Sequence, residues 1–147
     1  MDHHLAQVNV AYAVAPLDSP RMAGFVRAAA HVNRAADAAA GFVWRLEDAA
    51  AVPFMGDELW VVNVSVWRSM ADLEAFTFSD PHRRIMQLRG RWFEPHDAPA
   101  TACWWVPAGQ VPDLSEAHDR VRRLWEEGSS PEVFALGAGV PPVPPPG

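Results

Sequence analysis

The chain is 147 residues long and half hydrophobic, with 18 acidic against 12 basic residues and a net charge of −6. One domain of this size buries roughly two-thirds of its unfolded surface, so it needs neither disulfide nor metal, and the single cysteine, Cys103, has no intrachain partner. The acidic balance argues against nucleic acid, no apolar run approaches the ~20 residues of a membrane span, and MDHHLAQVNV lacks the basic and apolar blocks of a signal peptide; a cytoplasmic protein is expected.

The first strand is expected over about His4 to Tyr12, with Ala6, Val8 and Val10 on one side and Leu5, Gln7, Asn9 and Ala11 on the other. Ser19-Pro20 starts a helix whose inward stripe is Met22, Phe25, Ala29, Val32 and Ala36, and which stops before Gly41. Phe42 to Glu47 reads as a second strand and Asp48 to Glu58 as a loop. The third strand sets Trp60, Val62, Val64 and Val66 against Val61, Asn63, Ser65 and Trp67. Ser69 with Asp72 caps a second helix that Asp80-Pro81 breaks or restarts, and a further turn carries His82, Ile85, Met86 and Arg89. Thr101 to Val106 is the fourth strand, and Leu114 to Glu127 an amphipathic helix with Ala117, Val121 and Leu124 inward. The domain is assigned to residues 1–136, and the Pro/Gly-rich stretch 137–147 to a flexible tail.

This order predicts an α+β protein: a ferredoxin-like βαββαβ unit with an extra C-terminal helix and a four-stranded antiparallel sheet. Helices on one face leave the other bare, and that bare face is expected to carry Leu5, Trp67 and two of the aromatics Phe42, Trp44, Trp104 and Trp105, together with Gln7, Asn9, Asn63 and Ser65. So much apolar surface calls for a cover, so a homodimer is expected, two sheets closing a barrel around a cavity. Polar groups there must meet each other, water or a ligand. Arg45 joins them if the second strand turns that edge inward; if Phe42 and Trp44 face the cavity instead, Arg45 lies under the helices or at an edge.

HLAQVNV, PLDSPRMAGFV, GFVWRLE, VNVSVWRSMADLEAF, the S-x-x-H of Ser79 to His82, RGRWFEP and WWVPAG together resemble an uncharacterised, mostly bacterial family, domain of unknown function number 3291. The chain departs from its pattern at Phe78, where tyrosine is more usual, and at Gln110, where histidine is common. The family is similar to the dimeric α/β-barrel superfamily, which includes antibiotic-biosynthesis monooxygenases, heme-degrading oxygenases, isomerases and cyclases. The resemblance implies a small-molecule enzyme, monooxygenase-like or cyclase/isomerase-like, acting on an apolar, aromatic metabolite. His82 would be the base, Asn9, Asn63 and Gln7 would stabilise an oxyanion, and Trp67, Trp92 and Trp105 would stack on the ring. No cofactor is favoured. Heme is the alternative, because heme-degrading members use an asparagine, a tryptophan and an axial histidine on elements like those of Asn9, Trp67 and His82. A non-catalytic ligand-binding or stress module is the reading from a different class.

The remaining signals are weak. His3, His4, His31, His96 and His118 show no metal-ligand spacing, and Cys103 reads as core. Arg83, Arg84, Arg89 and Arg91 read as a solvated helix face, since no glycine-rich phosphate loop accompanies them.

Overall fold

Strand alternation organises the molecule. The computed structural model describes residues 2–47 and 54–136. Its central strand β1 (His3–Ala13) pairs antiparallel with β3 (Trp60–Trp67) on one side and β5 (Thr101–Pro107) on the other. The register sets Gln7 opposite both Ser65 and Cys103, and Asn9 opposite both Asn63 and Thr101. The six-stranded antiparallel sheet runs β2–β3–β1–β5–β6, where β2 is Phe42–Arg45 and β6 is Phe134–Ala135; β4 (Phe93–Glu94) pairs with the far end of β1. Four strands were expected and six occur among the described residues: β4 and β6 are two residues each, too short to leave an alternation. Part of the loop expected at 48–58 and the tail 137–147 lie outside the described residues.

Four α-helices occur among the described residues. α1 (Ala23–Asp37) follows a single 3-10 turn begun by Pro20, and the chain turns out of it at Gly41, whose φ of 81° suits glycine. α2 (Met70–Thr77) is capped by Ser69, whose Oγ accepts the Asp72 N–H at 3.1 Å. α3 (Asp80–Gln87) restarts the helix with Pro81 in its first turn, where the missing N–H costs nothing. α4 (Leu114–Glu127) begins at Asp113, which accepts the Glu116 N–H at 2.8 Å. None of these helices is long and apolar enough to cross a membrane.

The two sheet faces are used in the opposite sense to the one expected. The apolar face of Val8, Val64, Val66 and Trp104 packs against Ala117, Val121 and Leu124 of α4, with Phe54 and Val133 at its margins. Each Val or Leu fully buried there contributes roughly 1.5–3 kcal/mol. The polar face of Gln7, Asn9, Asn63, Ser65 and Trp67 is not bare. It lies under α1, α2 and α3. The reason is one of supply: α4 is a separate helix with its own apolar stripe, and it takes the face that a two-helix unit leaves open.

Beneath α1–α3 the packing is divided. One cluster, built on Leu5, Trp67, Leu73, Cys103 and Phe134, closes one end of the sheet. Another, built on Ala13, Met22 and Trp92, closes the other end. Between them lies a cavity.

Candidate ligand cavity

The cavity is half-enclosed and has a volume of about 450 Å³. That is within the ~300–1,000 Å³ usual for small-molecule sites. Its floor is the polar face of the sheet, its roof the inner stripe of α1 (Phe25, Ala29, Val32) and its far wall α2 and α3.

The floor carries a hydrogen-bond network. Gln7 Nε2 donates to Asn63 Oδ1 at 2.9 Å and to Ser65 Oγ at 2.6 Å. Trp67 Nε1 also donates to Ser65 Oγ, at 2.8 Å. Gln7 and Ser65 are each only 5% exposed, and so are costly to bury without these partners. Both amide hydrogens of Gln7 are thereby used, and Ser65 Oγ accepts twice. The Gln7 carbonyl oxygen and the Ser65 hydroxyl proton are thus the network's spare acceptor and donor. One step along the strands, Asn9 Nδ2 donates to Thr101 Oγ1 at 2.9 Å.

His82 stands on the wall. α2 ends at Thr77, whose carbonyl has no helical partner, and His82 lies 3.0 Å from it through Nδ1. A carbonyl only accepts, so Nδ1 carries the proton and Nε2 keeps its lone pair. Burial lowers the His82 pKa, with the Thr77 bond opposing, so the ring is neutral near pH 7. Phe76 holds the ring edge-on at 5.7 Å between centroids and stacks on Trp67 at 5.2 Å. The Asp80-Pro81 break therefore sets the histidine against the cavity instead of removing it.

Arg45 also borders the cavity, and a bulge explains how. Phe42 lies opposite Trp67 and Arg45 opposite Ser65, with the register slipping between Phe42 and Trp44. Phe42 and Arg45 thus share the cavity face while Trp44 turns to the α4 core, an arrangement in which neither expected alternative holds alone. Arg45 is already engaged: Nε and Nη2 meet the Asp37 carboxylate at 2.8 and 3.3 Å, which raises its pKa further.

Gln7, Asn9, Arg45, Asn63, Ser65, Trp67 and His82 thus border one cavity. Two expected residues do not. Trp92 is buried in the cluster at the end of the sheet, edge-on to Phe25 at 5.7 Å, because the short β4 draws it under α1. Trp105 faces the same way as Gln7 but packs on the Leu5–Phe134 cluster. Asn33, Phe76, Met86, Arg89 and Thr101 border the cavity without having been singled out for it. Ile85, Met86 and Arg89 follow His82 at i+3, i+4 and i+7, the spacing of one helix face, and Thr101 is the cross-strand neighbour of Asn9.

Cys103 lies on the same face as Gln7, in the cluster that closes one end of the cavity, and is fully buried, with its thiol pushed up to about 12 by desolvation and, secondarily, by Glu74. It is not an available nucleophile. No group of three or more His, Cys, Asp or Glu residues placed to hold a metal occurs among the described residues.

Fold and cavity together define a mixed α+β protein with a pocket of small-molecule size between sheet and helices. The chain belongs to the family described as domain of unknown function DUF3291, which it matches over residues 4–144. Its fold is similar to that of protein SO0527 from Shewanella oneidensis, with a TM-score of 0.54 at 11% identity, covering 72% of this chain and 93% of that one. PA3566 from Pseudomonas aeruginosa gives 0.51 at 16% identity, covering 72% and 94%. NE2512 from Nitrosomonas europaea, a protein of unknown function, gives 0.52 at 13%, covering 76% and 96%. No curated protein matches the chain.

Proposed function

We propose that the protein is a small-molecule enzyme that acts on an apolar, aromatic metabolite, with His82 as its proton acceptor. The observation that carries this reading is His82, its Nδ1 held by the Thr77 carbonyl, on the wall of a cavity floored by a buried amide–hydroxyl–indole network. A free Nε2 lone pair with a depressed pKa is suited to take a proton from a phenol or an activated C–H. Donors of the floor would stabilise the oxyanion left behind: the Ser65 hydroxyl, the Asn63 amide and the second N–H of the Asn9 amide, whose first goes to Thr101. The walls of Phe25, Trp67 and Phe76 suit a planar ring.

The reading includes the ferredoxin-like, dimeric α/β-barrel type as its fold ancestry. It is supported by the β2–β3–β1–β5 order within the larger sheet. The homodimer rests on that ancestry alone, since α4 covers the face a second sheet would have met and the described cavity walls come from one chain.

Turnover tests the proposal. Oxygen uptake and absorbance changes are followed with a panel of polycyclic phenols and quinols. The expected result is activity in the wild type that is lost in His82→Ala and Asn9→Ala, with the far-ultraviolet spectrum unchanged. Activity undiminished in both variants contradicts the site.

A second reading has its own observation. A histidine whose Nδ1–H is held by a carbonyl presents Nε2 in the tautomer used for axial ligation, and Asn9 and Trp67 border the same cavity. His82 would then hold a heme iron, with Asn9 and Trp67 beside the group. Added hemin would give a Soret band that disappears in His82→Ala; a band that survives the substitution removes His82 as the ligand.

A further inference from the structure

The charge around the cavity is one-sided. The chain as a whole carries −6, yet no carboxylate appears among the described residues that border the cavity. The charged groups there are Arg45 and Arg89, with His82 as the titratable third. Arg45 already has its counterion in Asp37. Arg89 makes no ion pair among the described residues; the ion pairs there belong to Arg45, Arg120, Arg122 and Arg123. An acidic protein that keeps its acids out of a cavity and leaves one arginine unpaired at its edge is arranged for a negative ligand.

Spacing gives that ligand a length. His82, Ile85, Met86 and Arg89 descend one face of α3 and the turn after it, all bordering the cavity. Seven residues of helix rise about 10 Å. The stripe thus presents a proton acceptor at one end, an apolar middle and a cation at the other.

We infer that the cavity takes a planar aromatic acid of two or three rings, its anionic group held by Arg89 and its rings lying along Ile85 and Met86 toward His82. The guanidinium would grip a carboxylate or sulfonate through paired N–H donors. This rests on the small-molecule reading of the cavity and adds the sign, the size and the orientation of the ligand.

A matched pair of probes tests it. 8-Anilinonaphthalene-1-sulfonate and N-phenyl-1-naphthylamine share their ring systems and differ in the sulfonate, and both report binding by fluorescence. Wild-type protein should bind the anion tighter by about fivefold, what one solvent-screened ion pair supplies at most. Arg89→Gln should abolish that preference and leave the neutral probe unaffected, whereas Arg83→Gln should change neither. The preference should also shrink as salt rises, because Arg89 is exposed. Ala29→Trp, which fills the roof, should abolish binding of both probes; Val32→Phe replaces it if circular dichroism shows that the tryptophan variant is unfolded. Equal affinity for the two probes, or a preference that survives Arg89→Gln, overturns the anion inference while leaving the cavity reading intact. Binding that survives in a folded, filled-cavity variant overturns both.

Discussion

Replacing Ser65 by alanine removes one oxygen that two buried donors share. Trp67 is 1% exposed, and its indole N–H has no other partner among the described residues, so the variant leaves that donor orphaned. Gln7 loses one bond but keeps the other, to Asn63. An orphaned buried donor costs about 1–3 kcal/mol and a lost hydrogen bond about 0.5–1.5. Water reaching the floor from the cavity would offset part of this, which leaves an expected loss of roughly 2–3 kcal/mol. For a chain of this length that corresponds to a melting temperature lower by about 4–12 °C. Urea unfolding followed by tryptophan fluorescence should show the loss as a lower midpoint at unchanged slope. The double variant Ser65→Ala/Trp67→Phe removes donor and acceptor together, so its cost should fall short of the sum of the two single costs by about 1 kcal/mol or more. A Ser65→Ala loss below about 0.5 kcal/mol, or strict additivity in the cycle, would refute the view that this network holds the cavity floor.

Other consequences are equally direct. Because burial holds the His82 pKa below its ordinary value near 6.5, the unfolded chain binds the proton more readily than the folded one. Stability should therefore fall as pH drops from about 6.5 through the lower folded value, and chemical denaturation of His82→Gln across that range should lack this contribution. Under the enzyme reading, the acid limb of the rate profile falls in the same window; a limb placed above pH 7 would exclude His82 as the base. Gly41→Ala forces a side chain into a φ of 81° and drives its Cβ into Asp72, the residue that Ser69 caps. It should cost about 2 kcal/mol or more, and a thermal melt equal to wild type would contradict this account of the turn. Cys103 should resist iodoacetamide in the native state and label only on unfolding; rapid native labelling would contradict its burial.

How far the sequence could be read depended on which quantity each residue reports. Alternation in β1 and β3 reports two faces, and both came out as expected. It does not report which face receives which helix. That choice depends on where α4 docks, a long-range matter that Ala117, Val121 and Leu124 do not encode beyond their being apolar. The bulge in β2 was equally silent, because one extra residue reverses a face without any change of composition. Trp92 and Trp105 illustrate the same limit: a tryptophan announces burial, and only the packing separates a cavity wall from a core. Arg89 is half legible: its spacing from His82 marks a shared helix face, but Arg83, Arg84 and Arg91 carry the same charge nearby, and composition does not distinguish the one of the four that borders the cavity.

The central claim is that a small planar ligand enters between the polar sheet face and α1–α3. The indole N–H resonances of a ¹⁵N-labelled sample, followed while N-phenyl-1-naphthylamine is added, test it most directly. Trp67 lies on the cavity face, bonded to Ser65, whereas Trp104 lies on the opposite face, bonded to Glu116 at 3.2 Å. The account predicts a saturable shift of Trp67 with Trp104 unmoved; a shift confined to Trp104, or binding that leaves Trp67 unchanged, contradicts it.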